Sequence, residues 1–291
     1  MEPVGSCLGV CYTGNQIFFS VNQPQRKGHL LRIGSVEFNF NIREAIISGS
    51  SSGFPALRKS LQEIKSEYNC NHVKVLAPAT EECWTVVPRS VYEDTTERET
   101  HIQLLMNGID RSQIQITWHT ISNSDSRLLL LRKQDSMNGF SELLTSFRSS
   151  EYVSEFELGV EWQLHMTAKS SCLFVHCAPD YISMSSFILG KLRGCTFFEY
   201  DQISDLPYLW NLYAGRLGWL QGIHDENIVF GSHAREASEH LQAYWFDHGN
   251  IRYPDSLAAM QVSAAEKTYG FPLESAFPAI LMSLNLERSG S

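Results

Sequence analysis

Apolar residues along this chain come in short runs broken by Gly, Pro, Ser, Asn and Asp, a texture that predicts strands and turns with a few amphipathic helices between them. The first stretch, Leu8 to Val21, has two apolar runs flanking Thr13-Gly14-Asn15-Gln16. It reads as a β-hairpin whose turn uses Gly14 and Asn15, two residue types that tolerate positive φ. His29 to Ile33 and Val36 to Phe40 read as two further strands, the second alternating at Val36, Phe38 and Phe40. The run Gly49-Ser50-Ser51-Ser52-Gly53 reads as a link. Phe54-Pro55 then opens a helix with apolar positions at Leu57, Leu61, Ile64 and Tyr68, followed by a buried strand from Val73 to Ala77.

The texture changes from Pro78 to about Ser124. Trp84 to Val87 and Ile114 to Ile121 predict strands around a charged helix from Glu93 to Met106, so residues 78–124 read as an inserted α+β subdomain. Arg127 to Arg132 is expected to return to the first sheet as a buried strand, with helices near Met137 to Phe147 and Phe156 to Ala168. A second cycle begins at Ser171. Cys172 to Cys177, Tyr181 to Leu189 and Cys195 to Tyr200 predict strands, with a turn from Gly190 to Gly194. A helix follows around Leu206 to Leu220, then a strand from Asn227 to Phe230. Gly231-Ser232-His233 turns into a helix ending near Phe246, Ile251 to Tyr253 is a short strand, and Phe277 to Leu286 a last helix. Both halves thus run hairpin, third strand, helix, strand, which predicts an α/β fold with a structural repeat, without the residue-level periodicity of a solenoid.

Composition narrows the function classes. The 291 residues are 43% hydrophobic, the make-up of a packed globular protein of two domains or lobes. The net charge of -9 and the lack of Lys/Arg clusters argue against nucleic acid or an anionic membrane surface as partner. Seven cysteines with no Cys-x-x-Cys pair read as reduced thiols. No signal-like segment is visible and the longest apolar runs fall far short of the ~20 residues of a membrane helix, so a cytoplasmic location without membrane insertion is expected.

In this order the elements resemble the actin-like (ribonuclease H-like) ATPase fold, with duplicated β-β-β-α-β domains, and within it the PilM/GspL-like proteins of type IV pilus assembly and type II secretion. The resemblance rests on Gly9-Val10-Cys11-Tyr12-Thr13-Gly14-Asn15 in the place of the family's first phosphate hairpin, and on Val75-Leu76-Ala77-Pro78 before the insertion. It rests also on Ile228-Val229-Phe230-Gly231-Ser232-His233-Ala234, on Arg252-Tyr253-Pro254-Asp255, and on the closing Phe277-Pro278-Ala279-Ile280-Leu281. It implies a first domain over 1–170 carrying the insertion, a second over 171–291, and a last helix that returns to the first. It also implies a nucleotide cleft formed by Thr13, Gly14, Asn15, His176, Gly231 and Ser232. The departures fall on the chemistry. Cys11 stands where the family has a metal-organising Asp, and Thr13 replaces a turn Gly. His176-Cys177-Ala178 precedes Pro179, which has no N–H to donate, and Ser232 replaces a second Gly.

The expected function is therefore a non-catalytic scaffold that binds the short tail of a PilN-like membrane protein, with no cofactor. An ATPase or sugar-kinase-like phosphotransferase using ATP and magnesium is the alternative. No P-loop, dinucleotide fingerprint or hydrolase elbow occurs. Cys11 lies in an apolar strand with no Lys, Arg or His beside it in sequence, which marks a buried, inert thiol. His176 reads as a strand-end histidine or a ligand contact across the cleft. His233, Glu236 and His240 share a helix face without an evident fourth ligand, so no metal is expected there. Trp84, Tyr92 and Trp118, set among polar residues of the insertion, are candidates for anchoring a partner peptide or for packing the subdomain core.

Overall fold

The structure, a computed structural model, describes residues 6–48, 53–120, 125–166, 170–245, 250–265 and 268–284. It begins with β1 (Ser6–Thr13), β2 (Gln16–Asn22) and β3 (His29–Glu37), an antiparallel meander. Helices α1 (Ile42–Ser48) and α2 (Gly53–Tyr68) lead to β4 (Cys70–Ala77), parallel to β1. An insertion then supplies β5 (Glu82–Pro88), α3 (Arg89–Glu93), α4 (Thr95–Met106), β6 (Ile114–Thr120) and β7 (Ser126–Lys133). Helix α5 (Gln134–Leu143) and β8 (Ser149–Ser154) complete the first sheet, and α6 (Leu158–Met166) follows.

The second half repeats the plan. Strands β9 (Cys172–Cys177), β10 (Tyr181–Ile188) and β11 (Lys191–Glu199) form the meander. After them come α7 (Leu206–Ala214), β12 (Glu226–Phe230), α8 (Ala234–Trp245) and β13 (Asn250–Arg252). A two-residue β14 (Ser263–Ala264) adds to the edge of β3, and α9 (Leu273–Ser283) is the last helix. The strand orders β14-β3-β2-β1-β4-β8 and β11-β10-β9-β12-β13 are the same topology, apart from the added β14. The repeat visible in element order is thus a repeat of sheet connectivity.

Strand β1 shows how residue size fixes the layers. Leu8 and Val10 point to one face, where they pack with residues of α1, α2 and α5. Cys7, Gly9 and Cys11 point to the other, and their small side chains let α9 lie almost against the strand: a Cβ on Gly9 would sit 2.0 Å from the Ala279 carbonyl oxygen. The Cys7 and Cys11 thiols face the Met282 and Ser275 carbonyls, and Ser20 on β2 meets Ser283 at 3.0 Å. Every residue of α9 from Ala276 to Ser283 is buried. Helix α9 also reaches the second half, where Phe277 packs on Phe174 and Phe230. Helix α9 therefore packs on the first sheet and on the second half alike.

Several local expectations are corrected. Residues 29–33 and 36–40 are not two strands: β3 runs continuously to Glu37, and Gly34 serves packing, because the Phe19 ring lies where its Cβ would be. Helix α1 carries no strong sequence pattern and was not expected. The strand over residues 127–132 does not rejoin the first sheet. It is β7, the centre of a three-stranded sheet ordered β5-β7-β6, buried on both faces within the inserted unit, and the rejoining strand is β8. The expected turn over 190–194 shrinks to Leu189-Gly190, both at positive φ, with β11 starting at Lys191. The helix expected to reach Leu220 ends at Ala214, and α9 starts at Leu273 instead of Phe277. Most of the Gly49–Gly53 link and the final residues 285–286 of the expected last helix lie outside the described residues.

Replacing Gly9 with Val should cost about 3 kcal/mol of stability, the upper end for overpacking a tight interior. Gly14→Ala meets no atom, only the backbone cost of φ +56°, and should cost about 1 kcal/mol. Urea denaturation of the two variants checks the ordering; equal losses would contradict the close approach of α9.

Candidate functional site at the interdomain cleft

A cavity of about 270 Å³ opens between the two halves at the ends of β1 and β9. Thr13 and Gly14 reach it from the first hairpin, His176 from the end of β9, and Gly231 and Ser232 from the turn after β12. Asn15 does not line it. Its Nδ2 donates to the Phe38 carbonyl at 2.9 Å and its own carbonyl accepts from the Phe38 N–H at 2.8 Å, so it braces the hairpin turn from outside. Arg43, Thr80, Asp180 and Tyr181 complete the polar part of the wall, while Phe18, Leu76 and Pro278 supply much of the apolar part.

The strongest electrostatic feature beside the cleft is Glu155, at the turn between β8 and α6, which sequence reasoning missed. Its carboxylate is buried and accepts from Ser183 Oγ at 2.6 Å and from the Tyr181 hydroxyl, and His176 Nδ1 lies 3.0 Å away. Burial alone would raise its pKa, yet His176, Ser183 and Tyr181 together hold it below the usual carboxylate range. Burial and the neighbouring Glu155 charge push the Tyr181 phenol well upward, so it stays a donor. A signal was present: Ser154-Glu155-Phe156-Glu157 has the spacing of a helix start, and Ser154 with Glu157 forms a capping box.

The turn after β12 is equally committed. Gly231 has φ +106°, and a Cβ there would lie 2.4 Å from the Cys177 carbonyl oxygen, so only glycine fits. Its N–H donates to the Glu274 carbonyl at 3.1 Å. That carbonyl is available because Pro278, four residues on in α9, has no N–H to take it. The His233 N–H donates to the Cys177 carbonyl at 3.3 Å, and the His176 ring stacks on Phe230 with centroids 5.0 Å apart. On the other wall, Arg43 pairs with Glu81, which also accepts from Ser136 Oγ at 2.8 Å. Burial of Glu81 opposes ionisation, but Ser136 and Arg43 outweigh it and lower its pKa. Cys11 matches the expectation of an inert thiol: burial pushes it up to about 12.

The three aromatic candidates of the insertion do not form one surface. Tyr92 and Trp118 pack together, with centroids 5.0 Å apart, on the face of the three-stranded sheet that carries α4, where Arg98 and Arg127 flank Tyr92. Trp84 lies on the opposite face, against Phe156 of the main body at 3.9 Å. Strand alternation separates them, because Trp84 and Trp118 oppose the adjacent residues Leu130 and Leu129 of β7. His233 and Glu236 lie 3.3 Å apart, and among the described residues no group of three or more His, Cys, Asp or Glu is arranged to hold a metal. No described helix is long and apolar enough to cross a membrane.

Glu155→Gln should cost about 1–3 kcal/mol through mismatched buried hydrogen bonds. Because the folded pKa of Glu155 is lowered from 4.5, its contribution is present above that value and lost as pH falls through the folded pKa. The wild-type advantage over Glu155→Gln, read by denaturant titration across pH, should therefore be full at neutral pH and shrink in acid. An advantage that grew in acid would refute the assignment.

No protein-family profile and no curated protein matches the sequence. Solved structures do. The PilM-PilN type IV pilus biogenesis complex contains a chain matched with a TM-score of 0.67 at 11% identity, over 97% of this chain and 98% of that one. A Bacteroides thetaiotaomicron protein with an actin-like ATPase fold and unknown function gives 0.53 at 14% identity, over 85% of this chain and 90% of that one. An inorganic polyphosphate/ATP-glucomannokinase from Arthrobacter sp. strain KM gives 0.50 at 13% identity, over 97% and 98%. Two sheets of one connectivity, a cleft between them and these likenesses agree: the chain has the actin-like ATPase fold, in an arrangement similar to that of the PilM-PilN structure.

Proposed function

We propose that this protein is a scaffold of a pilus-assembly or secretion apparatus, acting through a partner's peptide and not through nucleotide chemistry. The observation that carries the reading is that Arg43, Tyr181 and the Gly231 N–H, three polar groups of the cleft wall, are already bonded to protein partners. Glu155, the buried carboxylate, is held by Tyr181, Ser183 and His176, and the Gly231 N–H is taken by Glu274. Arg43, the cleft cation, is paired with Glu81. A magnesium nucleotide needs free carboxylate oxygens around the ion and free N–H groups around the phosphates. These residues fit such a ligand poorly, since Cys11 offers a neutral thiol and Pro179 no donor at all.

The likeness to a PilM-PilN type IV pilus biogenesis complex supports a partner of that kind, and the partner we propose is the short tail of a PilN-like membrane protein. In this reading the protein lies in the cytoplasm and reaches the inner membrane only through that partner. The glucomannokinase likeness and the position of Arg43 beside Thr13 and Gly14 favour a second reading, an ATP-binding phosphotransferase.

Thermal denaturation with and without millimolar ATP and magnesium separates the two. A ligand of the native state must stabilise it, by about 2.7 kcal/mol at a hundredfold excess over Kd. An unchanged Tm is expected. A clear rise would overturn the scaffold reading in favour of the phosphotransferase.

A further inference from the structure

At the end of the second sheet opposite the cleft, the β10–β11 hairpin meets the loop before β12. The hairpin turns on Leu189 and Gly190, at φ +52° and +73°. Two positive φ values in a two-residue loop make a type I′ turn, whose first place suits Asn or Gly and strains a bulky chain such as Leu. Leu189 is also 69% exposed. It costs the fold twice, in backbone strain and in apolar surface left in water, and residues held at such a cost gather where a protein makes contacts.

Ile223, 81% exposed, stands on the neighbouring loop. Gly222 lies against the end of β10, where an added Cβ would sit 3.7 Å from Ile188 Cδ1, and the buried His224 has its Nε2 2.8 Å from Ser186 Oγ. Ile223 is thus pinned on both sides by the strand that leads to Leu189. The hairpin tip is fixed as well: the Leu189 N–H donates to Ser171 Oγ at 3.2 Å and the Gly190 N–H to the Ser170 carbonyl at 3.3 Å. Two aliphatic side chains held out on anchored backbone are preorganised contacts.

Cations frame them. Lys191 follows the turn and opposes Ile188, and Arg193 is the extra residue of a β-bulge, a device that re-aims a side chain. Arg216 precedes Leu217, which shares a cavity wall with Arg193. All three are exposed, and among the described residues their side chains have no hydrogen bond or ion pair. Asp225, beyond Ile223, is engaged by the Ser171 N–H at 3.1 Å. On a chain of net charge -9, three unpaired cations around two exposed aliphatic side chains complement an acidic, partly apolar partner. An anionic bilayer is answered by clusters of about four to eight Lys/Arg, which this surface lacks.

We infer that this end of the second half is a docking surface for an acidic amphipathic segment of a partner protein, which lays apolar side chains on Leu189 and Ile223 and sets acidic ones against Lys191, Arg193 and Arg216. The inference goes beyond the reading of the cleft and does not depend on it. Stabilisation by ATP would overturn that reading and leave this surface standing.

Leu189→Asn is the sharpest test, because Asn suits the turn while removing the apolar contact. It should raise Tm by about 2 °C. It should also weaken, by about tenfold or more, the binding of peptides selected against the full chain from a random library displayed on phage. Those peptides should combine apolar and acidic residues. The double variant Lys191→Glu with Arg193→Glu should release them, and a peptide with Lys in place of its acids should recover binding to that variant. A Tm that does not rise in Leu189→Asn shows that the leucine serves the fold and overturns the inference. So does failure to enrich peptides, or peptides that bind Leu189→Asn unchanged. Binding of the full chain to phosphatidylglycerol vesicles, abolished by Leu189→Asn, puts a bilayer in the partner's place and overturns it too.

Discussion

A single proline determines much of how this fold closes. Pro278 sits inside α9 and lacks the N–H that would bond to the Glu274 carbonyl, so that carbonyl turns to the Gly231 N–H of the second half. Around this contact α9 is buried along almost its whole length, pressed on Gly9 of β1 at one side and on Phe174 and Phe230 at the other. The halves are thus held by a shared wedge whose polar end is satisfied from both sides. The usual compromise of a Pro in a helix, one lost hydrogen bond, is converted here into a bond between α9 and the turn after β12.

The same economy runs through the cleft. Glu155 comes from the end of the first sheet, and Tyr181, Ser183 and His176 come from the second, so its hydrogen bonds join the halves as well as satisfying a buried charge. The inserted unit is tied in by a neighbouring cluster. Glu82 of β5 is bonded by Arg132 of β7 and by Ser154, and His119 of β6 lies 2.9 Å from Glu157. Burial outweighs Arg132 and Ser154 and raises the Glu82 pKa to about 7. Glu155 and Glu157 are separated by one residue, so the insertion and the cleft share one short turn. These bonds tie the insertion to the turn that also carries Glu155.

The fold was largely legible in the sequence because period and punctuation carried it: the hairpin at Gly14-Asn15, the amphipathic α2, and the repeat of strand order. What was lost has physical causes. Arg127 to Arg132 is apolar on both faces in whichever sheet it is placed, so periodicity could not say that it centres the small sheet. Gly34, between the two expected strands, yields space to the Phe19 ring, and a glycine that does so reads like one that ends a strand. The cleft was half legible. Thr13, Gly14, His176, Gly231 and Ser232 do converge, but the partners that Tyr181 and Gly231 find beside the site, Glu155 and Glu274, lie far from them in sequence. Trp84 could not be separated from Tyr92 and Trp118 until the registers of β5 and β6 were known.

Whether the cleft keeps its polar groups to itself is open to a direct measurement: amide spectra of the isotopically labelled chain titrated with ATP and magnesium. The predicted result is that the amides of Thr13, Gly14, Gly231 and Ser232 do not move and that the Gly231 N–H stays protected from exchange. Saturable shifts at those four amides, with loss of the Gly231 bond to Glu274, would contradict it.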